Sequence, residues 1–375
     1  MVVTTRVLHV ASGDLWAGAE VQLYHLACCV NDQADIELQV VLLNSGELQR
    51  RLIAVGVAVE VIPESQHGFV ALLFKLMSIS RYFQPDIIHT HRQKENLLGA
   101  LTALVIPGTQ SVRTVHGGNE HAPRGKQIVK RLQLLVNRWV GCYLQQAIVC
   151  VSEELKTLLR GDYPAAKLLV IENGVDVDAV RELAAGDKVD LVKERFNVAF
   201  AGRMVPVKRV DLFVEIARLA EQKYKGKFHF YVLGDGPEMQ AALNLAAEYG
   251  LDNLTFTGFR ADAQQWLVKM NALCITSDHE GLPMVLLEAM ALNLPVVARM
   301  VGGIGQALSN GAAGVLIDSA DPGLFVEALN GLRTNSMSSN TLVAAAWLRV
   351  NKEFSVAVMA EQYKSLYQRL LATNL

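Results

Sequence analysis

A chain of 375 residues with 51% hydrophobic side chains is too apolar to be disordered and long enough for two domains with cores of their own. Thirty-five Lys and Arg against 37 Asp and Glu leave a net charge of −2, which excludes nucleic-acid binding driven by bulk charge. The five cysteines (Cys28, Cys29, Cys142, Cys150, Cys274) form no C-x-x-C pair, so neither a disulfide framework nor a thiolate metal site is expected, and a reducing cytoplasm fits.

Residues 1–11 hold only a short apolar run with His9 inside it, too brief for a signal-peptide core, and they read as a first strand at 6–11. Further strands are expected at 36–42, 57–62, 86–90, 111–115, 147–151 and 167–171. A second series follows at 197–201, 229–233, 254–257, 272–276, 295–298 and 314–317. Most are apolar along their middle rather than alternating, as strands covered on both faces are. Helical periodicity fills the gaps, for instance at 210–222, 238–249 and 283–292. Such alternation builds parallel sheets from right-handed βαβ units. The charged stretch 176–194 carries no strand signal and reads as the connection between two doubly wound domains, 1–175 and 176–357. A final amphipathic helix at 358–371 is followed by no strand, and the segment 358–375 is free to join the first domain. No run approaches the roughly 20 apolar residues that a spanning helix needs, so a soluble protein is expected.

Open α/β sheets bind ligands beyond the carboxyl ends of their strands, which directs attention to the loops there. After the first strand, Ser12-Gly13-Asp14-Leu15-Trp16-Ala17-Gly18-Ala19-Glu20 offers glycine at a helix start, where backbone approaches a ligand closely; it is equally an ordinary strand-to-helix turn. His116, at another strand end, offers a donor to a hydroxyl or phosphate, although a histidine in a polar loop is more often structural. Gly202-Arg203 and Lys208 place two cations on one strand-to-helix loop, suited to a diphosphate or simply to solvent, with Arg209 as a surface charge. Gly234-Asp235-Gly236-Pro237 departs from G-x-G-x-x-G, which disfavours a nicotinamide dehydrogenase.

The most pronounced loop runs from Ser277 through Glu280-Gly281-Leu282-Pro283 to Glu288, with Pro283 expected at the first helical position. The helix start there favours an anion, while Glu280 and Glu288 would accept hydrogen bonds from hydroxyls, as on a sugar and a ribose. Either acid alone is more simply a solvated charge; the loop as a whole reverses that. Asp176-Val177-Asp178 has the D-x-D pattern of metal sites, but it follows Asn173-Gly174 at a turn, where a capping or solvated role is favoured. Finally, Arg113, Arg124, Lys126, Lys130, Arg131 and Arg138 stand against the single acid Glu120. The part at 128–140 reads as an amphipathic helix with Leu132, Leu135, Val136 and Trp139, suited to an anionic membrane or to packing on its own core.

Together these stretches resemble the family-4 retaining glycosyltransferases of GT-B fold. The matching pieces are Ala17-Gly18-Ala19-Glu20, His89-Thr90-His91, Val115-His116-Gly117, Glu172-Asn173-Gly174-Val175-Asp176, Gly202-Arg203 with Lys208, Gly234-Asp235-Gly236-Pro237, Thr257-Gly258-Phe259 and the loop from Glu280 to Glu288 continuing to Gly302-Gly303. The resemblance implies two Rossmann-like domains facing across a cleft, the first (1–175) on the acceptor side and the second (176–357) holding a nucleotide-diphosphate sugar. It implies that Arg203 and Lys208 grip the diphosphate, that Gly18 lets the first domain close over it and that Glu288 binds the ribose. Glu280 would bind the transferred sugar, with Gly281 and Leu282 backbone on sugar or phosphate, His116 on the sugar and Arg260 near the base. His116, Arg203, Lys208 and Glu280 would be the catalytic set, with no metal and no cofactor beyond the donor itself.

The same resemblance implies retention of anomeric configuration, a polysaccharide or lipid-linked acceptor of cell-envelope type, and no nucleic-acid partner. It implies a cytoplasmic location, peripheral on the inner face of the membrane if residues 124–140 touch it. Ala17 replaces the first glycine usual in the first-domain loop, which restricts backbone approach but leaves Gly18 in place, whereas Arg299-Met300 and Gln306 depart from the family pattern beside the donor pocket and bear on which sugar is used. A nucleotide-sugar 2-epimerase and a non-catalytic sugar-nucleotide-binding subunit are the competing readings. Lys208→Ala is expected to cost at least about 100-fold in kcat/KM with little change in melting temperature.

Overall fold

The computed structural model describes residues 4–14, 16, 18–31, 33–117, 128–186 and 189–372, with the main chain alone at 128–131. The chain divides into two compact units: Met1–Gly174 with Val356–Leu375, and Val175–Ser355.

In the first unit β1 (Thr5–Ala11), β2 (Ile36–Leu42), β3 (Ala58–Val61), β4 (Ile87–Thr90), β5 (Gln110–Val115), β6 (Ala147–Cys150) and β7 (Leu168–Val170) form one sheet. Its order is β3-β2-β1-β4-β5-β6-β7, and every pairing is parallel. The connecting helices are α1 (Gly18–Asn31), α2 (Glu47–Ala54), α3 (Phe69–Phe83), α4 (Gln93–Val105), α5 (Ile128–Tyr143) and α6 (Glu153–Leu159). β4, β5 and β6 are buried at every residue, as strands covered on both faces are; β6 is apolar throughout, whereas β4 and β5 also bury polar side chains, His89 and Thr90 in the one and Ser111, Arg113 and Thr114 in the other.

The second unit opens with α7 (Val177–Ala184), inside the stretch expected to be a connection. Asp176 is its N-cap, accepting from the Ala179 N–H at 3.0 Å, and Val177, Val180 and Ala184 turn one face inward. The six-stranded sheet comprises β8 (Phe196–Ala201), β9 (Phe228–Leu233), β10 (Leu254–Gly258), β11 (Ala272–Ile275), β12 (Val296–Arg299) and β13 (Val315–Ile317). Its order is β10-β9-β8-β11-β12-β13, all parallel. The helices are α8 (Val210–Lys223), α9 (Met239–Glu248), α10 (Ala263–Leu267), α11 (Met284–Ala291), α12 (Ile304–Ala307), α13 (Pro322–Thr334) and α14 (Ser336–Lys352).

The last helix, α15 (Val356–Ala372), returns to the first unit and packs on α1. Met359, Ala360, Tyr363, Leu366 and Tyr367 recur at helical spacing, so one stripe meets the core formed by β1, β2 and α1.

Both sheets reverse direction at one point. The chain adds strands outward from β1 and then returns to place β4 on its other side; β8 and β11 repeat the pattern. In open α/β sheets such a reversal, at the carboxyl ends of the strands, is where ligands bind.

Candidate active site

In the second unit, residues expected to act together do meet at the β8–β11 reversal. Lys208 closes a 3-10 turn, Pro206–Lys208, after β8, and Glu280 lies in the loop after β11. The Lys208 Nζ donates to Glu280 Oε1 at 2.5 Å, and Ser277 Oγ donates to the same oxygen at 2.6 Å. Glu280 is 9% exposed and Lys208 24%, so the pair is partly shielded from water. Both donors converge on Oε1, and no described side chain is bound to Oε2, which leaves an acceptor for a ligand hydroxyl. Arg203 is exposed and, among the described residues, forms no ion pair.

Glycine geometry holds these loops together. A Cβ on Gly302 would stand 1.9 Å from the Glu280 carbonyl oxygen, and its φ of +58 is a left-handed conformation that side chains disfavour. The next residue, Gly303, donates its N–H to the Gly281 carbonyl at 2.6 Å. On the other side of β8, a Cβ on Gly234 would meet the Gly202 carbonyl at 2.0 Å. The loops after β8, β9, β11 and β12 are thus pressed backbone to backbone, fixing Glu280 and Lys208 from behind.

The helix start differs from expectation in one detail. Pro283 is the N-cap of α11, with φ −72 and ψ 131, and Met284 is the first helical residue. Extended backbone at the cap turns the chain before the helix begins, so Gly281 and Leu282 lie in the approach loop. Glu288, on α11, is half-buried and accepts from Gln264 Nε2 at 3.2 Å. Burial raises its carboxyl above the usual range, and the Gln264 bond partly opposes that. Arg260 is held by Asp262 at 2.8 and 2.6 Å and lies over the Trp266 ring, 5.2 Å from its centre.

Several participants carried no sequence signal of their own. Asp278 is bound by both Arg209 and Arg299, so Arg209 is a buttress of the loop after β11 rather than a plain surface charge. Arg299, a departure from the family pattern, is 16% exposed there, and its Nε is buried without a partner. Ser277 and Gln264, each beside one of the acids, were also missed.

Gly18 and His116 belong to the first unit. Gly18 begins α1 and faces open space, with nothing within 4 Å of a Cβ built on it. That loop is anchored by Glu20, which is buried and paired with Arg92; Arg92 also reaches Asp14 at 3.6 Å, bridging the β1–β4 reversal. His116 Nε2 lies 3.2 Å from His91 Nδ1, while His116 Nδ1 is buried with no partner among the described residues. Burial lowers the His116 pKa to about 3, so the ring is neutral.

The basic segment reads differently once seated. Arg113 is fully buried in β5, near Tyr163, and is no part of a surface patch. Arg138 is engaged with Asp162 at 3.0 Å and the Gly161 carbonyl at 2.8 Å. Glu120, Arg124 and Lys126, as well as Ala17, lie outside the described residues. On α5, however, Leu132, Leu135, Trp139 and Tyr143 are 61, 62, 54 and 71% exposed and share one helical face, so they do not pack on the core. Among the described residues no helix is long and apolar enough to cross a membrane.

Two family models match the chain: "Glycosyltransferase Family 4" over residues 16–179 and "Glycosyl transferases group 1" over 195–335. A D-inositol 3-phosphate glycosyltransferase of Kribbella flavida is 31% identical over 310 residues, 78% of this chain and 73% of the relative. The UDP-Gal:alpha-D-GlcNAc-diphosphoundecaprenol alpha-1,3-galactosyltransferase of Escherichia coli is 26% identical over 311 residues, 79% of this chain and 77% of the relative. In fold, the crystal structure of Anabaena Alr3699/HepE in complex with UDP superposes with a TM-score of 0.81 at 21% identity, covering 97% of this chain and 100% of that one.

Proposed function

The chain belongs to the family-4, group-1 glycosyltransferases, and from that premise we propose that it moves a sugar, with retention, from a nucleotide-diphosphate donor to a lipid-linked or polysaccharide acceptor of the cell envelope. The observation that carries this reading is the Lys208–Glu280–Ser277 cluster at the sheet reversal, a cation and a hydroxyl-accepting carboxylate within 2.5 Å of each other. Breaking an anomeric C–O bond builds positive charge on the sugar and negative charge on the departing diphosphate. Lys208 and the unpaired Arg203 match the second charge, with no divalent cation required. The free oxygen of Glu280 and the acceptor Glu288 suit the hydroxyls of sugar and ribose. Attack on the same face as the departing phosphate gives retention without a protein nucleophile.

The acceptor class is supported by the E. coli relative, named for a diphosphoundecaprenol-linked sugar, and by the exposed apolar face of α5, which suits a lipid surface. The test is incubation with UDP-, GDP- and ADP-sugars, with and without a polyprenyl-diphosphate-linked sugar, in EDTA. The expected product is a glycosylated lipid with the donor's anomeric configuration. An inverted product overturns retention, activity lost to EDTA overturns metal independence, and an epimerised donor in the absence of acceptor overturns transfer itself.

A further inference from the structure

His9, His89, His91 and His116 gather at the carboxyl ends of β1, β4 and β5 in the first unit. His9 and His89 are register partners in the β1–β4 pair, with ring centres 4.6 Å apart, and His91 stacks on His89 at the same 4.6 Å. Burial takes His9 down to about 3 and holds His89 and His91 well below their ordinary value, so like His116 they are neutral. A neutral imidazole has one donor and one acceptor nitrogen, so a line of such rings bonds in one sense throughout.

The line can be followed atom by atom. Gln22 Nε2 lies 3.5 Å from the Tyr363 hydroxyl and 3.5 Å from the Met359 sulfur. An amide N–H only donates, so the Tyr363 proton turns to Thr114 Oγ1 at 2.9 Å. Thr114 then donates to His89 Nε2 at 2.7 Å, and His89 Nδ1 donates to the Tyr367 oxygen at 2.7 Å. Tyr367 donates to His9 Nε2 at 3.5 Å, His9 Nδ1 to His91 Nε2 at 2.9 Å and His91 Nδ1 to His116 Nε2 at 3.2 Å. The last proton in the line sits on His116 Nδ1, the one nitrogen of the four rings that has no partner among the described residues.

We propose that this relay, anchored by Tyr363 and Tyr367 of α15, holds His116 in a single tautomer as an Nδ1–H donor for an oxygen of the ligand. His9, His89 and His91 are then positioning residues. That the oxygen belongs to the transferred sugar or its phosphate rests on the transferase reading; the tautomer does not. The trio His9, His89 and His91 also has the spacing of a metal site, its ring nitrogens within 4.8 Å of one another. A metal there would have to displace bonds that already occupy both nitrogens of each ring.

The decisive measurement is the nitrogen-15 NMR of histidine-labelled full-length protein, which distinguishes Nδ1–H from Nε2–H for each ring. All four histidines are expected in the Nδ1–H form. A Gln22 amide turned over would place its oxygen on Tyr363 and reverse every bond, so Nε2–H at His116 overturns the proposal. So does one zinc per chain in metal analysis of the purified protein. Tyr367→Phe cuts the line between His89 and His9, and His116 is expected to become a mixture of tautomers. Because only the donor fraction remains competent, kcat is expected to fall about two- to fivefold with KM held, against about 100-fold for His116→Ala. An unchanged His116 spectrum in Tyr367→Phe overturns the relay even if the enzyme proves inactive on every donor tried.

Discussion

Lys208→Ala separates two roles that a single ammonium plays. Lys208 is tied to Glu280 at 2.5 Å, with 24 and 9% of the two side chains exposed. That exposure lies between surface pairs and buried ones, so removing the cation is expected to cost about 1–2 kcal/mol of stability. For a domain of this size that lowers the melting temperature by about 2–8 °C, which revises the expectation from sequence alone that it would hardly move. Loss of a charge-assisted contact to a diphosphate, about 1.5–3 kcal/mol, weakens nucleotide affinity by about 10- to 150-fold. With nucleoside diphosphate at about 100 times the wild-type Kd, ligand stabilisation should fall from about 2.7 kcal/mol to about 1.4 or less. Removal of one contact that strengthens in the transition state costs about 100- to 1,000-fold in turnover. Thermal unfolding with and without UDP, GDP and ADP, followed by transfer kinetics, reads all three quantities. Wild-type kcat/KM together with an undiminished nucleotide shift would remove Lys208 from the site.

Gly302→Ala forces a Cβ against the Glu280 carbonyl at a left-handed position, and a loss of at least about 2 kcal/mol in denaturant unfolding is expected. Activity should fall further than stability accounts for, because Glu280 must move. Glu288 has a carboxyl raised above 4.5 by burial, so the folded state holds its proton more tightly than the unfolded chain does. Its contribution is therefore greatest below 4.5 and declines as pH rises; Glu288→Gln should flatten that part of the melting profile while weakening nucleotide binding. Leu135→Asp with Trp139→Asp on the exposed face of α5 should reduce sedimentation with anionic vesicles at unchanged melting temperature, and equal partitioning would retire the membrane reading. Ending the chain at Ser355 removes Met359, Tyr363, Leu366 and Tyr367 from the first core, each worth about 1.5–3 kcal/mol, which together rivals the net stability of a domain. Limited proteolysis should then degrade the first unit and spare the second.

The strands were legible because parallel strands buried on both faces stand out as short apolar runs. α7 was hidden by its charges, although Asp176 and the spacing of Val177, Val180 and Ala184 carry both a cap and a buried stripe. Within the site, residue types and loop positions were readable, but pairings were not. Lys208 and Glu280 are 72 residues apart and meet only because β11 returns beside β8. The histidine line depends likewise on β4 lying beside β1, which brings His9 into register with His89. The buried Arg113 shows the opposite failure: a charge counted from the sequence as surface lies in a strand covered on both sides.

Because α15 completes the first unit, that unit cannot finish assembling until Tyr367 has been made. At synthesis rates of about 5–20 residues per second, roughly 10 to 40 s pass between the emergence of Gly174 and that of Tyr367. The second unit, contiguous in sequence, matures during that interval. The usual order of vectorial folding is thereby inverted, and the nascent amino-terminal half is the client that a ribosome-associated chaperone would meet.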